Sequence, residues 1–251
     1  MKIQYIRHAT LILEIGGRKI LVDPMLSDVS SMPPVPLTPN REKNPLIPLP
    51  PGSLDCIRAI DAVLLTHFHF DHFDKIAGNI LSEGVLIFCQ PGDEKKLKKM
   101  GFTNAKAIAG NFKWGQITFK RFPVNHARGF LLKIILGKSS SFFLQSGSEE
   151  LFITGDAVLD SLLIKSLEEI KPSRILANAG SAKFLWGEPV TLTAGDIKDI
   201  LHIIPDAMIA AVHMGAVNHC LLTKEMLKNF ASDENIEKNL IIPGEGEIFN
   251  F

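Results

Sequence analysis

Four side chains able to bind metal fall within six positions, in the run His67-Phe68-His69-Phe70-Asp71-His72. On an extended chain, residues two apart point the same way, so His67 and His69 can converge on one ion. Asp71 and His72 fall in the turn beyond and can face a second. Imidazole nitrogen suits Zn, Mn, Fe, Co and Ni, and a carboxylate adds a harder donor. Such a set suits hydrolysis, because a bound divalent ion lowers the pKa of water to about 7 and polarises the bond under attack. Three more donors follow: His126, Asp156 after Gly155, and His213. Five of the eight histidines then belong to one pattern.

These donors need strand ends on one edge, where open α/β sheets place their sites. The chain supplies candidates. Ala59–Leu65 reads as a buried strand running into His67. Ile117–Phe122 precedes His126, Leu151–Thr154 precedes Asp156, and Ala207–Val212 precedes His213. Further strands are expected at Lys2–Ile6, Thr10–Ile15 and Lys19–Val22, with Gly16-Gly17 as a hairpin turn. Val85–Cys89, Phe130–Leu136, Phe142–Leu144 and Arg174–Ala177 read as strands too, and Leu240–Ile242 is expected to pair with Glu247–Phe249. Helices are expected from Phe73 to Leu81 and over Asp93–Met100, Asp160–Ile170, Ala194–Ile203 and Thr223–Phe230. The third carries Leu162, Leu163, Leu167 and Ile170 on one face. Mixed strands and helices throughout indicate α/β layers in one domain, 1–251. Between Pro24 and Pro51 stand nine prolines, which excludes a regular helix or a central strand. We expect a lid loop there, folded over the site.

Composition narrows the partners. Lys plus Arg and Asp plus Glu are 27 each, so the net charge is zero. With a single tyrosine, nothing suggests a nucleic-acid surface. Cys56, Cys89 and Cys220 are scattered and odd in number, which fits reduced thiols in a cytoplasmic protein. Charges interrupt the first residues before a signal-peptide apolar region forms, and no membrane span is expected. The expected partner is a small-molecule substrate, with a homo-oligomer left open.

The order of His-x-His-x-Asp-His, a lone His, a Gly-Asp after a strand and a late His resembles the metallo-β-lactamase-fold hydrolases, across essentially the whole chain. His8-Ala9-Thr10 and Val22-Asp23-Pro24 look like the branch of ascorbate-6-phosphate lactonase and N-acyl-phosphatidylethanolamine phospholipase D. The stretch AVHMGAVNHCLLT resembles a bacterial group of that branch. The resemblance implies a four-layer αββα sandwich and two divalent ions, Zn foremost, with Mn or Fe as alternatives. Matched by residue, His67, His69 and His126 would hold the first ion; Asp71, His72 and His213 the second; Asp156 would bridge both. A water activated by the metals would attack a small ester, lactone or phosphodiester, and Asp71 would carry its proton. Many lactam-cleaving enzymes have Arg where His72 stands and Cys where Asp156 stands, so antibiotic cleavage is not expected.

Asp23 is implied to sit behind the histidines and orient one of them. His8 would reach the substrate or the surrounding shell, and His219, beside Asn218, is a candidate for the same. Cys220 reads as a small buried apolar group, and Phe68, Phe70 and Phe73 as packing residues. The alternative to an enzyme is a non-catalytic module that holds metal structurally or senses metal or a small ligand. Structural sites close their coordination, whereas seven donors with a bridge leave room for water.

Overall fold

The computed structural model describes residues 1–251. β1 (Lys2–Arg7), β2 (Thr10–Ile15) and β3 (Arg18–Val22) form an antiparallel meander. Gly16 and Gly17 turn the second hairpin with φ of 54° and 71°, a conformation that favours glycine. After α1 (Ser53–Ile57), β4 (Ala62–Leu65) joins β3 in parallel. α2 (Lys75–Ile80), β5 (Leu86–Cys89), α3 (Asp93–Lys99) and β6 (Ala105–Ala107) continue the parallel half.

A second sheet begins with β7 (Asn111–Trp114) and β8 (Ile117–Asn125). Then come α4 (Phe130–Leu136), β9 (Lys138–Ser146) and β10 (Glu149–Ile153). α5 (Ser161–Ile170), β11 (Arg174–Asn178), α6 (Ala194–Ile203), β12 (Met208–Val212), α7 (Lys224–Asp233) and β13 (Leu240–Ile241) make its parallel half. β14 (Ile248–Asn250) returns to β1. Each sheet has seven strands, in the orders β14-β1-β2-β3-β4-β5-β6 and β13-β12-β11-β10-β9-β8-β7.

Alternation along the strands sorts the core into layers. Tyr5, Leu11, Leu13, Phe88, Phe119 and Phe142 fill the space between the sheets. Ile12, Leu21, Val63 and Leu65 face the other way, onto Ile57 of α1, Ala77 of α2 and Leu97 of α3. Phe152, Ile175 and Ile209 pack on Leu163, Ile197 and Leu227 of α5, α6 and α7. Each such burial contributes about 1.5–3 kcal/mol. The expected αββα sandwich is present. No helix is long and apolar enough to cross a membrane.

Three expectations are corrected. Phe130–Leu136 is a helix rather than a strand. A run of seven with six apolar residues and one lysine has too little periodicity to separate the two, and here glycines 129 and 137 bound one short helix. Leu240–Ile241 and Ile248–Asn250 do not pair with each other but join opposite sheets. Tyr5 draws the chain across: its N–H donates to Glu247 O and its carbonyl accepts from Gly246 N–H. Leu162 faces solvent, because it lies 100° round the helix from the buried row of Leu163 and Leu167.

Residues 24–51 hold no regular element beyond an isolated bridge between Met32 and Asn44. Two polar anchors tie this stretch down. The buried Arg7 guanidinium donates to the carbonyls of Ile47 (2.7 Å) and Met25 (3.1 Å). The Asn218 amide accepts from Val35 N–H and Asn44 Nδ2 and donates to Thr38 Oγ1 and Asn40 O.

Candidate metal centre

The donors gather where the strands of both sheets end. β4 runs through Thr66 into the histidine run. His126 directly follows β8, and His213 directly follows β12. Asp156 follows β10 after Gly155, whose φ of 55° and closeness to Ser140 O exclude a Cβ, which would lie 2.5 Å from that oxygen. His8, Asp23 and His213 adopt left-handed backbone with φ of 56°, 43° and 68°. Such strain costs about 1–3 kcal/mol per residue and persists where the surroundings over-determine it.

Five histidines each have one ring nitrogen fixed from outside. Thr66 Oγ1 donates to Asp23 Oδ2 (2.7 Å), so it accepts from His67 Nδ1 (3.1 Å). His69 Nε2 donates to Leu136 O at 2.9 Å, and His126 Nδ1 to Val190 O at 3.0 Å. His72 Nδ1 donates to Asp23 Oδ2 at 2.9 Å, and His213 Nδ1 lies 3.5 Å from Cys220 Sγ. A neutral imidazole carries one N–H, so each inner nitrogen presents a bare lone pair.

Those lone pairs face one another. His67 Nε2 is 3.0 Å from His69 Nδ1, and His72 Nε2 is 3.2 Å from His213 Nε2. Asp156 reaches His72 Nε2 (3.2 Å), His213 Nε2 (3.3 Å) and His126 Nε2 (3.4 Å). Asp71 Oδ2 lies 3.8 Å from His213 Nε2 and 3.9 Å from His72 Nε2. Acceptors packed against acceptors repel unless a cation lies between them, so the donor set fits divalent metal. Three groupings have their donor atoms within 4.8 Å of one another: His67, His69 and His126; His67, His72 and Asp156; and His8, Asp71, His72 and His213.

Charge follows the same geometry. Burial pushes His67 well below the ordinary histidine range, and it takes His69 down to about 4, with His126 adding to the effect. At His72 burial works downward, but Asp156, Asp23 and Asp71 outweigh it and raise this ring well above the ordinary range, so without an ion its inner nitrogen takes up a proton in the place where a cation would otherwise sit among the three carboxylates. Burial would raise Asp71 and Asp156. His72 and the His8 hydrogen bond hold Asp71 well below the carboxylate range, and His213 and His72 do so for Asp156.

The structure brings all seven expected donors together, and Asp23 stands behind His72 as the resemblance implied. His8 is fully buried rather than open to a substrate. Its Nε2 lies 3.1 Å from Asp71 Oδ2, its ring centroid lies 3.6 Å from that of His213 with the planes tilted by 37°, and its carbonyl accepts from His213 N–H. Burial takes it down to about 3. His219 is buried with Nδ1 unpartnered, and burial takes it down to about 4. Phe70 corrects an expectation: Phe73 is buried, but Phe70 is 42% exposed between two donors.

Comparison with known proteins agrees with this geometry. Residues 18–222 match the β-lactamase superfamily domain. The UPF0173 protein YddR of Bacillus subtilis is 32% identical over the full length of both chains. A UPF0173 metal-dependent hydrolase of Carboxydothermus hydrogenoformans is 30% identical, covering 82% of this chain and 83% of its own. The crystal structure of an isothiocyanate hydrolase from Delia radicum gut bacteria superposes with a TM-score of 0.95 at 30% identity, covering 100% of this chain and 99% of that one. The chain belongs to the metallo-β-lactamase-fold metal-dependent hydrolases.

Within this superfamily site, sequence reasoning missed three supports. Asn178 Nδ2 donates to Asp156 Oδ1 at 2.8 Å from the end of β11. Thr66 buttresses His67 through Asp23, and Cys220, read as apolar filler, faces His213. Thr66 precedes the motif directly and so carried a positional signal. Asn178 carried none, since only the fold brings its strand beside β10, and Cys220 carried none, since the path of the loop after β12 turns it back onto His213.

Proposed function

We propose that the chain hydrolyses a small molecule with two divalent ions, Zn foremost. His67, His69 and His126 would hold one; Asp71, His72 and His213 would hold the other; Asp156, within reach of His72, His126 and His213, would serve both groups. The observation that carries this reading is the pair of facing lone-pair contacts at 3.0 and 3.2 Å, each ring pinned from behind. Bound ions would supply an activated water and Lewis-acid stabilisation of the developing oxyanion. The protein's own groups do the rest. Asp71 would accept the water's proton, and His8 Nε2, 3.1 Å from its Oδ2, fixes that carboxylate. Asp23 and Asn178 orient His72 and Asp156. Residues 24–51, tied down through Arg7 and Asn218, cover the site and select the substrate. The three free cysteines fit a cytoplasmic setting.

Esters, lactones and phosphodiesters remain the candidate substrates. Full-length similarity to an isothiocyanate hydrolase favours a second reading, in which water adds to the central carbon of an isothiocyanate. That carbon is an electrophile, as an ester carbonyl carbon is. The test is a screen of metal-loaded protein against lactones, esters, thioesters, phosphodiesters and isothiocyanates, with metal measured on the same sample. Turnover abolished by chelator and restored by metal is expected. Protein that binds no metal after supplementation would overturn the reading.

A further inference from the structure

α4 is built inside out. Its Leu132 is buried, yet Phe130, Leu131, Ile134 and Ile135 are between 58% and 81% exposed. Lys133 is the one charged residue of the helix. Nearby, Leu185 and Trp186 are also exposed, at 60% and 41%. The two segments touch, since a Cβ on Gly187 would lie 2.9 Å from Leu132 Cδ1. Leu37, 62% exposed, joins them through the hydrogen bond from Leu185 N–H to its carbonyl.

This surface is continuous with the histidine cluster. α4 ends at Leu136, whose carbonyl holds His69. Lys183 N–H donates to His219 O, and the Phe184 ring lies 6.4 Å from that of His219. Phe70 stands exposed between His69 and Asp71. Of the 17 large apolar side chains that the protein exposes, eight lie in these few segments, so the clustering is local to the site. Exposed apolar area gathered in this way marks a binding surface.

We propose that α4 and the 184–187 turn form an apolar wall that binds the hydrocarbon tail, alkyl or aryl, of the molecule hydrolysed at the histidine cluster. The proposal rests on the hydrolase reading above and names its substrate class. The wall meets the histidine cluster through Leu136, whose carbonyl holds His69, and through Phe184 beside His219, so a tail seated on it places the rest of its own molecule next to the donors, which a second copy of the chain would not do.

The test uses metal-loaded full-length protein and two series. The first is p-nitrophenyl esters from acetate to octanoate and n-alkyl isothiocyanates from methyl to hexyl, read as kcat/KM. The second is n-butanol, n-hexanol and n-octanol, read as binding through Trp186 fluorescence, with Trp186→Phe as the control that removes the signal. In both series the wild type should gain about 3-fold per methylene. Ile134→Asp, at an exposed position that leaves metal content unchanged, should flatten both slopes. Alcohol binding that keeps its slope while no ester or isothiocyanate is turned over would support the wall and remove those two classes from the hydrolase reading. Slopes absent from the wild type, or unchanged in Ile134→Asp, would overturn the wall. A halved sedimentation mass in Ile134→Asp with slopes intact would assign the face to a second copy of the chain instead.

Discussion

The two sheets supply the site in different ways. The first delivers a run, in which His67, His69, Asp71 and His72 leave β4 together while His8 and Asp23 follow β1 and β3 beside it. The second delivers one residue per strand end: His126 after β8, Asp156 after β10, Asn178 closing β11 and His213 after β12. Members of a run share one turn and shift together. Residues on separate strands are held in place only by the sheet, so each can be lost independently. The run therefore sets the local geometry, and the scattered set decides whether the two groups of donors are joined.

Asp156 is the joint, and its loss should have the largest effect. Asp156→Ala is expected to lower metal content and to cut turnover by more than about 100-fold, beyond what outer partners of a site contribute. Circular dichroism should show the fold retained. A variant that lost folding first would make the metals structural, and the alternative to an enzyme would stand.

Next comes a direct contrast between the groups. His67→Ala with His69→Ala should empty one ion position, and His213→Ala the other, each leaving about half the metal by elemental analysis. If either change empties both, the donors form one unit and the contrast between run and strand ends fails.

The outer partners test each sheet more gently. Asp23→Asn on the first and Asn178→Ala on the second should each weaken metal binding about 10–100-fold, read by competition with a chelating dye. An effect confined to Asp23 would mean that the strand-end donors need no orienting partner.

Acid gives a graded test. Burial takes His8 down to about 3 and His69 and His219 down to about 4. The unfolded chain protonates these groups near pH 6.5, so it binds more protons than the fold does as pH drops from 6.5 towards 4. Stability is therefore lost on acidification. His72 is raised and acts in the opposite direction, but it is one group against four, since His67 is lowered as well. The Tm of metal-free protein should fall steadily from pH 6.5 to 4.5, and metal-loaded protein should release its ions over the same range as protons compete. A flat or rising Tm would show these histidines charged in the fold. The smallest effect is expected on α3, where Lys98→Ala should leave metal content unchanged and stability within about 0.5 kcal/mol.

The same division explains what could be read from the chain. Four donors in six positions were legible because local spacing carries their chemistry. His126, Asp156 and His213 were legible through the apolar strands that precede them. Asn178 was not, because its role depends on which strands lie side by side, and Cys220 was not, because its role depends on how the loop after β12 folds back on His213. The fold class followed from alternating strands and helices, yet α4 was misread, because a segment whose one polar residue is Lys133 has no polar face to reveal its period. The missing polar face is also what left the wall beside His69 out of the sequence reading. Asn218 was placed near the site by its neighbour His219, but its grip on residues 35–44 needed the structure.

β14 has a consequence for how the chain is made. It pairs Ile248–Asn250 with Lys2–Gln4, so one of the first strands synthesised waits for one of the last. At about 5–20 residues per second, the outer edge of β1 stays open for roughly 12–50 s of translation. An open edge is a template for another nascent chain. Clipping residues 248–250 should therefore show itself as aggregation during expression, while the molecules that do fold keep their metals and their turnover.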